Sequence, residues 1–215
     1  GNVDLPENVV LLEDNILISG SSNNTGGGLQ NWRSAISLLS GQGQQVWIVH
    51  DSTATLTWTG QLATLPADNA VVWTSVELPS YEQSWLLKTR GDGHTMWRIP
   101  MNGVVYLGAH TPASFIAITR GNSNSLLSVF NGEGIVTRQF QLPERMDAIV
   151  SIHTQGDSVW LGYHITGGVV YPVSYALSLF RLSSGERLWR TVFADVVRGF
   201  FDVSPSGIAF VCGTK

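Results

Sequence analysis

Four times in this chain a leucine-rich stretch runs into a glycine turn, and three times a tryptophan follows that glycine four residues later. The fullest copy is Tyr175-Ala-Leu-Ser-Leu-Phe-Arg-Leu-Ser-Ser-Gly-Glu-Arg-Leu-Trp189, with Gly185 as its turn glycine. The same spacing joins Gly43 to Trp47 in Ser37-Leu-Leu-Ser-Gly-Gln-Gly-Gln-Gln-Val-Trp47, and Gly93 to Trp97 in Leu86-Leu-Lys-Thr-Arg-Gly-Asp-Gly-His-Thr-Met-Trp97. In the fourth copy, Leu126-Leu-Ser-Val-Phe-Asn-Gly-Glu-Gly-Ile-Val-Thr-Arg138, Gly134 keeps its place but Arg138 stands where the aromatic would be. A tight hairpin needs a residue that tolerates positive φ, which glycine does without steric cost. A large aromatic on the returning strand buries roughly 150–250 Å², enough to plug the gap between one hairpin unit and the next.

The marker glycines stand 50, 41 and 51 residues apart, the repeat length of a four-stranded propeller blade. The pattern therefore predicts an all-β fold: a β-propeller of four-stranded antiparallel blades, about four of them plus an incomplete one. Apolar runs at 16–20, 70–75, 114–119 and 158–162 read as innermost strands, buried on both faces. Stretches 56–62, 104–107, 148–152 and 197–203 read as outer strands. Blades then fall at roughly 15–62, 69–108, 114–153 and 157–203, with a partial blade made of 207–215 and 8–12. Such a partial blade leaves an open edge of buried-type strands, which invites pairing with other chains. The missing strands are expected from a longer protein or from another chain.

Composition agrees with one large-cored β domain of 215 residues. Charged residues make up only 13%, about half the usual share. Strand-type runs rich in Val, Ile, Leu, Thr and Trp alternate with Gly/Asn/Ser/Asp turns, and no long stretch has helical periodicity. The formal charge is −4 with no basic run, which argues against a phosphate-neutralising nucleic-acid surface. A charge-poor surface suits an extracytoplasmic or luminal protein, and equally one covered by a partner. The single cysteine, Cys212, excludes an internal disulfide and leaves the compartment open. No apolar run reaches the roughly 18 residues of a membrane span, and Gly1-Asn-Val-Asp-Leu-Pro6 does not read as a signal peptide.

Local motifs add little chemistry. Asn23-Asn24-Thr25 is a glycosylation acceptor if the protein is secreted. Gly26-Gly27-Gly28 is followed by a strand, whereas a phosphate cradle needs a helix there and usually a Lys. Arg90-Gly91-Asp92 matches the integrin-recognition tripeptide, yet Gly and Asp are also what a tight turn requires. The insertion over 164–174 carries Gly167, Gly168, Tyr171 and Pro172. Pro172 interrupts strand pairing there, and a loop of this length is a candidate binding contact. None of the five histidines (His50, His94, His110, His153, His164) has another at metal-ligand spacing. His50-Asp51 with a serine could form a triad, but no Gly-x-Ser-x-Gly elbow exists. Neither a metal nor a cofactor is expected.

An apolar strand, a Leu-rich strand, a Ser-Gly or Asn-Gly turn and a Val/Leu-Trp ending together resemble the PQQ-like repeat of the quinoprotein alcohol dehydrogenase-like superfamily. The 175–189 hairpin is the most specific copy. WD-type repeats fit less well, since no Trp-Asp dipeptide closes a blade. The resemblance implies either of two functional classes. Quinone-dependent dehydrogenases need a Trp floor, a calcium site of Glu, Asn and Asp, a catalytic Asp and often vicinal cysteines; none of these can be placed here. The other class contains non-enzymatic scaffolds that hold protein partners in larger assemblies, and the chain is expected to be one. The alternative is a ligand-binding or enzymatic propeller with a sugar or quinone in a central channel, reached by Ser19, Thr74, Thr119 and Tyr163 at the ends of the apolar strands.

Overall fold

The computed structural model describes residues 5–12, 14–23, 32–51, 57–78, 80–120, 124–166, 173–194, 196–204 and 207–214. Among these residues the elements are strands, apart from one short 3-10 turn at Pro66–Asp68. The first sheet is β1 (Leu5–Leu12), β2 (Asn15–Asn23), β3 (Trp32–Ser40) and β4 (Gln45–His50), paired in that order. The second is β5 (Thr57–Leu65), β6 (Ala70–Glu77), β7 (Gln83–Arg90) and β8 (Thr95–Asn102). The third is β9 (Val105–Thr111), β10 (Ser114–Arg120), β11 (Ser125–Asn131) and β12 (Val136–Gln141). The fourth is β13 (Ala148–Gln155), β14 (Ser158–Thr166), β15 (Val173–Arg181) and β16 (Arg187–Phe193). A two-stranded sheet, β17 (Val196–Ser204) with β18 (Gly207–Thr214), follows. The registers are antiparallel, as in Val9↔Ile18 and Leu179↔Trp189.

The strand segments expected from sequence are present, but their grouping is displaced by one. Segments 56–62, 104–107, 148–152 and 197–203 do not close the preceding blade. They open the next sheet as β5, β9, β13 and β17. Segment 8–12, expected in a blade with 207–215, opens the first sheet as β1 paired with β2, and β18 pairs with β17. The apolar runs are second strands, not innermost ones. A run apolar on both faces reports only that neighbouring sheets cover both faces, which is true of a second strand too. Connections between sheets are as short as those within them, so spacing along the chain does not show where a sheet ends.

The chain divides into two compact units, Gly1–Thr119 with Phe130–Ile135, and Arg120–Val129 with Val136–Lys215. In the first unit, β6 shows why its sequence is continuously apolar. Val71 and Trp73 pack with Leu17, Ile36 and Leu38 of the first sheet. Val72, from the opposite face, packs with Leu65, Val105, Leu107 and Phe115. Each such fully buried side chain contributes roughly 1.5–3 kcal/mol. Phe115 stacks on Phe130 at 4.9 Å between ring centres. In the second unit Val159, Leu161, Tyr163, Tyr175, Leu177 and Phe180 are buried. Gly162 leaves room there for the Tyr175 hydroxyl and the Phe201 ring, both of which a Cβ at that position would strike.

The first strands are irregular in a repeated way. Pairing with the second strand slips between Pro6 and Asn8, Thr59 and Leu62, Ile149 and Ser151, and Val196 and Arg198. Such bulges re-aim side chains and increase local twist. At the second of them Gly60 lies where a Cβ would meet the Thr74 hydroxyl, and Asn8 Nδ2 donates to Gly60 O at 2.8 Å.

Candidate interaction surface

The third and fourth strands of each four-stranded sheet form the marked hairpins. At Ser40–Gln44, Arg90–His94 and Asn131–Ile135, a three-residue loop is closed by hydrogen bonds at both ends. For example, Gly93 N donates to Arg90 O at 2.9 Å and Arg90 N to His94 O at 3.0 Å. The third loop residue is the marker glycine, with φ of 79° at Gly43, 87° at Gly93 and 77° at Gly134. The fourth hairpin is one residue longer, with Gly185 at φ 72° donating to Arg181 O at 2.8 Å. These are the positive-φ positions for which a hairpin selects glycine.

The tryptophans do not pack on their own turns. Trp47 and Trp97 each lie on the turn of the following hairpin. Trp47 Nε1 donates to Gly91 O at 2.8 Å, and a Cβ on Gly93 would stand 3.0 Å from Trp47 Cγ. Trp97 Nε1 donates to Gly132 O at 3.3 Å, and a Cβ on Gly134 would stand 3.3 Å from Trp97 Cε2. Both indoles are half-buried. The third seat is filled by Phe140, whose Cγ would lie 2.6 Å from a Cβ on Gly185. Arg138, in the expected slot, instead reaches Asp157 at 3.9 Å with both side chains about half exposed, a contact worth little. Phe140 is two residues further along β12 and therefore on the same face; a search of alternate positions would have found it.

Trp189 differs from Trp47 and Trp97. It is 42% exposed and touches Trp160 edge-on at 5.8 Å. Leu188 and Val192 beside it on β16 are also exposed. Among the described side chains, the other exposed large apolar ones on strands are Val9 and Leu11 of β1, Val46 of β4, Met96 of β8 and Val136 of β12. All stand on the first or last strand of a sheet.

Groups that could do chemistry are engaged inside the fold. Lys88 is 1% exposed and bonds Asp68 Oδ2 at 2.7 Å and Gly132 O at 2.8 Å. Ser19 receives Asn8 Nδ2 at 3.3 Å, and Thr74 Oγ1 donates to Gln61 O at 3.4 Å. Tyr163 Oη donates to Glu144 Oε1 at 2.7 Å and lies 2.9 Å from Ser178 Oγ. Burial, with the Glu144 bond behind it, pushes its phenol up. Glu144 also accepts from Arg187 Nη1 and Arg190 Nη2, both at 2.8 Å. Nothing in the spacing of these four residues announces that cluster, because its members are brought together only by the sheet. Thr119 is half-buried. Ser19, Thr74 and Thr119 belong to the first unit and Tyr163 to the second.

His50 Nδ1 does meet a serine, Ser22 Oγ, at 3.1 Å. Ser22 is buried, and Asp51 pairs with Arg98 at 3.4 Å. Desolvation by burial lowers the His50 pKa, and Arg33 lowers it further. Arg98 lies over Trp85 at 4.1 Å. In the Arg90-Gly91-Asp92 tripeptide, Asp92 Oδ1 accepts from His94 N at 2.9 Å and Gly91 O serves Trp47, which are turn-building roles. Asn23 ends β2 opposite Trp32. Asn24, Thr25, the Gly26–Gly28 run and the loop residues Gly167, Gly168, Tyr171 and Pro172 lie outside the described residues. Among the described residues no helix is long and apolar enough to cross a membrane.

No family model matches the sequence, and no curated protein matches it. Solved structures do. The β-propeller domain of the Trilobed protease from Pyrococcus furiosus is 8% identical with a TM-score of 0.59, over 86% of this chain and 57% of that one. Hydrazine synthase of Kuenenia stuttgartiensis is 12% identical with a TM-score of 0.66, over 94% of this chain and 53% of that one. The Dos1 propeller is 11% identical with a TM-score of 0.55, over 84% of this chain and 49% of that one. The chain therefore spans about half the length of these structures. At such identities the likeness shows the fold and not the function: an all-β propeller of four-stranded antiparallel blades, four complete and one partial.

Proposed function

We propose that this chain is a non-catalytic propeller of the PQQ-like repeat type that binds protein partners within a larger assembly. The observation that carries the reading is where its apolar surface lies. Val46, Met96, Val136, Leu188, Trp189 and Val192 are exposed on the last strands of the sheets. Exposed apolar strands at sheet edges are costly in a lone protein and are normally blunted by charge. They suit a protein whose edges are covered by others.

The test is cross-linking with mass spectrometry in extracts of the source organism. A chain carrying Leu188→Glu and Val192→Glu should lose its protein cross-links to this edge while keeping its melting temperature. Unchanged cross-links in that variant would count against the reading. So would saturable capture of a sugar or a quinone by the purified chain in native mass spectrometry, which is the outcome the ligand-binding alternative requires.

A further inference from the structure

We infer that the buried Lys88 is a register lock: with Asp68 it fixes where the turn of the third sheet seats on the second, serving a unique conformation and not net stability. Lys88 stands on β7 between Val72 of β6 and Trp97 of β8. This is the face on which Leu65, Val72, Leu86, Val105 and Phe115 pack together, so the alternation of the strand calls for an apolar residue at 88. Equivalent positions in other sheets hold one. Leu38 faces Trp47 in the first sheet, and Leu179 faces Trp189 in the fourth. Leucine is thus compatible with a tryptophan on the last strand. Lys88 is nevertheless 1% exposed, and burying an ammonium is costly unless its donors are met.

What the lysine adds is position. Its Nζ donates to Asp68 Oδ2 at 2.7 Å and to Gly132 O at 2.8 Å. Trp97 Nε1 donates to the same carbonyl at 3.3 Å. Gly132 is also fixed by its lack of a side chain, since a Cβ there would strike Asp68 Oδ2. A turn seated one residue off would bring the side chain of Asn131 or Glu133 against Asp68 and take the Gly132 carbonyl away from the ammonium. A buried donor left unmet costs its full desolvation. Leucine at 88 would impose no such penalty on a displaced turn. Replacing a buried ion pair by apolar groups is often neutral or stabilising, so the contribution of this pair lies in excluding alternative seatings.

The test compares the double variant Lys88→Leu, Asp68→Asn with Leu86→Val, which loosens the same apolar face and leaves the pair intact. In urea the double variant should unfold at a midpoint equal to or above that of the parent, and Leu86→Val at a lower one. In heteronuclear NMR spectra the parent and Leu86→Val should each give one set of signals for the Gly132 and Gly134 amides and the Trp97 indole. The double variant should give a second set in slow exchange, at about 10% of the intensity. A single set at the parent's shifts overturns the inference. So does a second set in Leu86→Val, since doubling would then follow from lost packing alone. A double variant that unfolds well below the parent, or does not fold, also overturns it, because the pair would then be a stability contact.

Discussion

Phe140 lies against Gly185 as Trp97 lies against Gly134, although Phe140 is six residues after its own turn glycine and Trp97 only four after its own. The ring's contact is kept across the repeat while its place in the sequence shifts by one period of the strand. What recurs is thus a fit between a ring and a bare turn, not a residue at a fixed offset.

Phe140→Ala should therefore destabilise the protein by about 2–4 kcal/mol, below the range for a fully buried Phe because the ring is half-buried. Arg138→Ala should change stability by less than about 0.5 kcal/mol, since its ion pair with Asp157 is exposed and long. Urea unfolding of both variants checks the order. A larger loss from Arg138→Ala would mean that the seat was assigned to the wrong side chain.

Gly43 and Gly93 separate backbone strain from packing. Both have positive φ, so alanine at either should cost roughly 1–2 kcal/mol from the backbone alone. At Gly43 nothing lies within 4 Å of an added Cβ, whereas at Gly93 the Trp47 ring does. Gly93→Ala should therefore cost about 1 kcal/mol more and shift the fluorescence of Trp47, with Gly43→Ala leaving the emission unchanged. Chemical denaturation together with emission spectra in a background retaining Trp47 measures both quantities. Equal losses at the two positions would remove the ring–turn contact from the account.

Glu7, at the β1 bulge, has its carboxyl pushed up to about 7 by desolvation, although the residue as a whole is exposed. A carboxyl whose folded pKa is raised holds its proton better folded than unfolded. Its contribution is complete below about 4.5 and is lost as pH rises to about 7. Glu7→Gln should leave stability at pH 4.5 nearly unchanged and raise it at pH 8. Solvent screening keeps the gain to about 1 kcal/mol at most, or some 2–4 °C in melting temperature. Thermal melts at the two pH values decide it; a gain at pH 4.5 equal to that at pH 8 would show that the carboxyl is not strained.

The class of fold was legible because it is written in short-range terms. Gly43, Gly93, Gly134 and Gly185 mark turns since only glycine sits comfortably at their φ values. The runs at 70–75 and 114–119 mark strands since a segment apolar on both faces must be covered on both. Trp47 and Trp97 each reach the turn of the following hairpin, a contact between residues far apart in the chain.

Tertiary structure decided which strands share a sheet, which residue fills the third seat and which polar groups meet. Strand 57–65 opens the second sheet because its backbone pairs with β6. Pairing is a contact between segments whose linkers are equally short on either side, so one-dimensional spacing does not distinguish the two groupings. The Glu144, Tyr163, Arg187 and Arg190 cluster belongs to the same category. By itself the sequence determined the repeat, its turns and its apolar strands, because these follow from φ preference and burial along the chain. The partners of each strand and ring follow from long-range packing, which only the folded chain expresses.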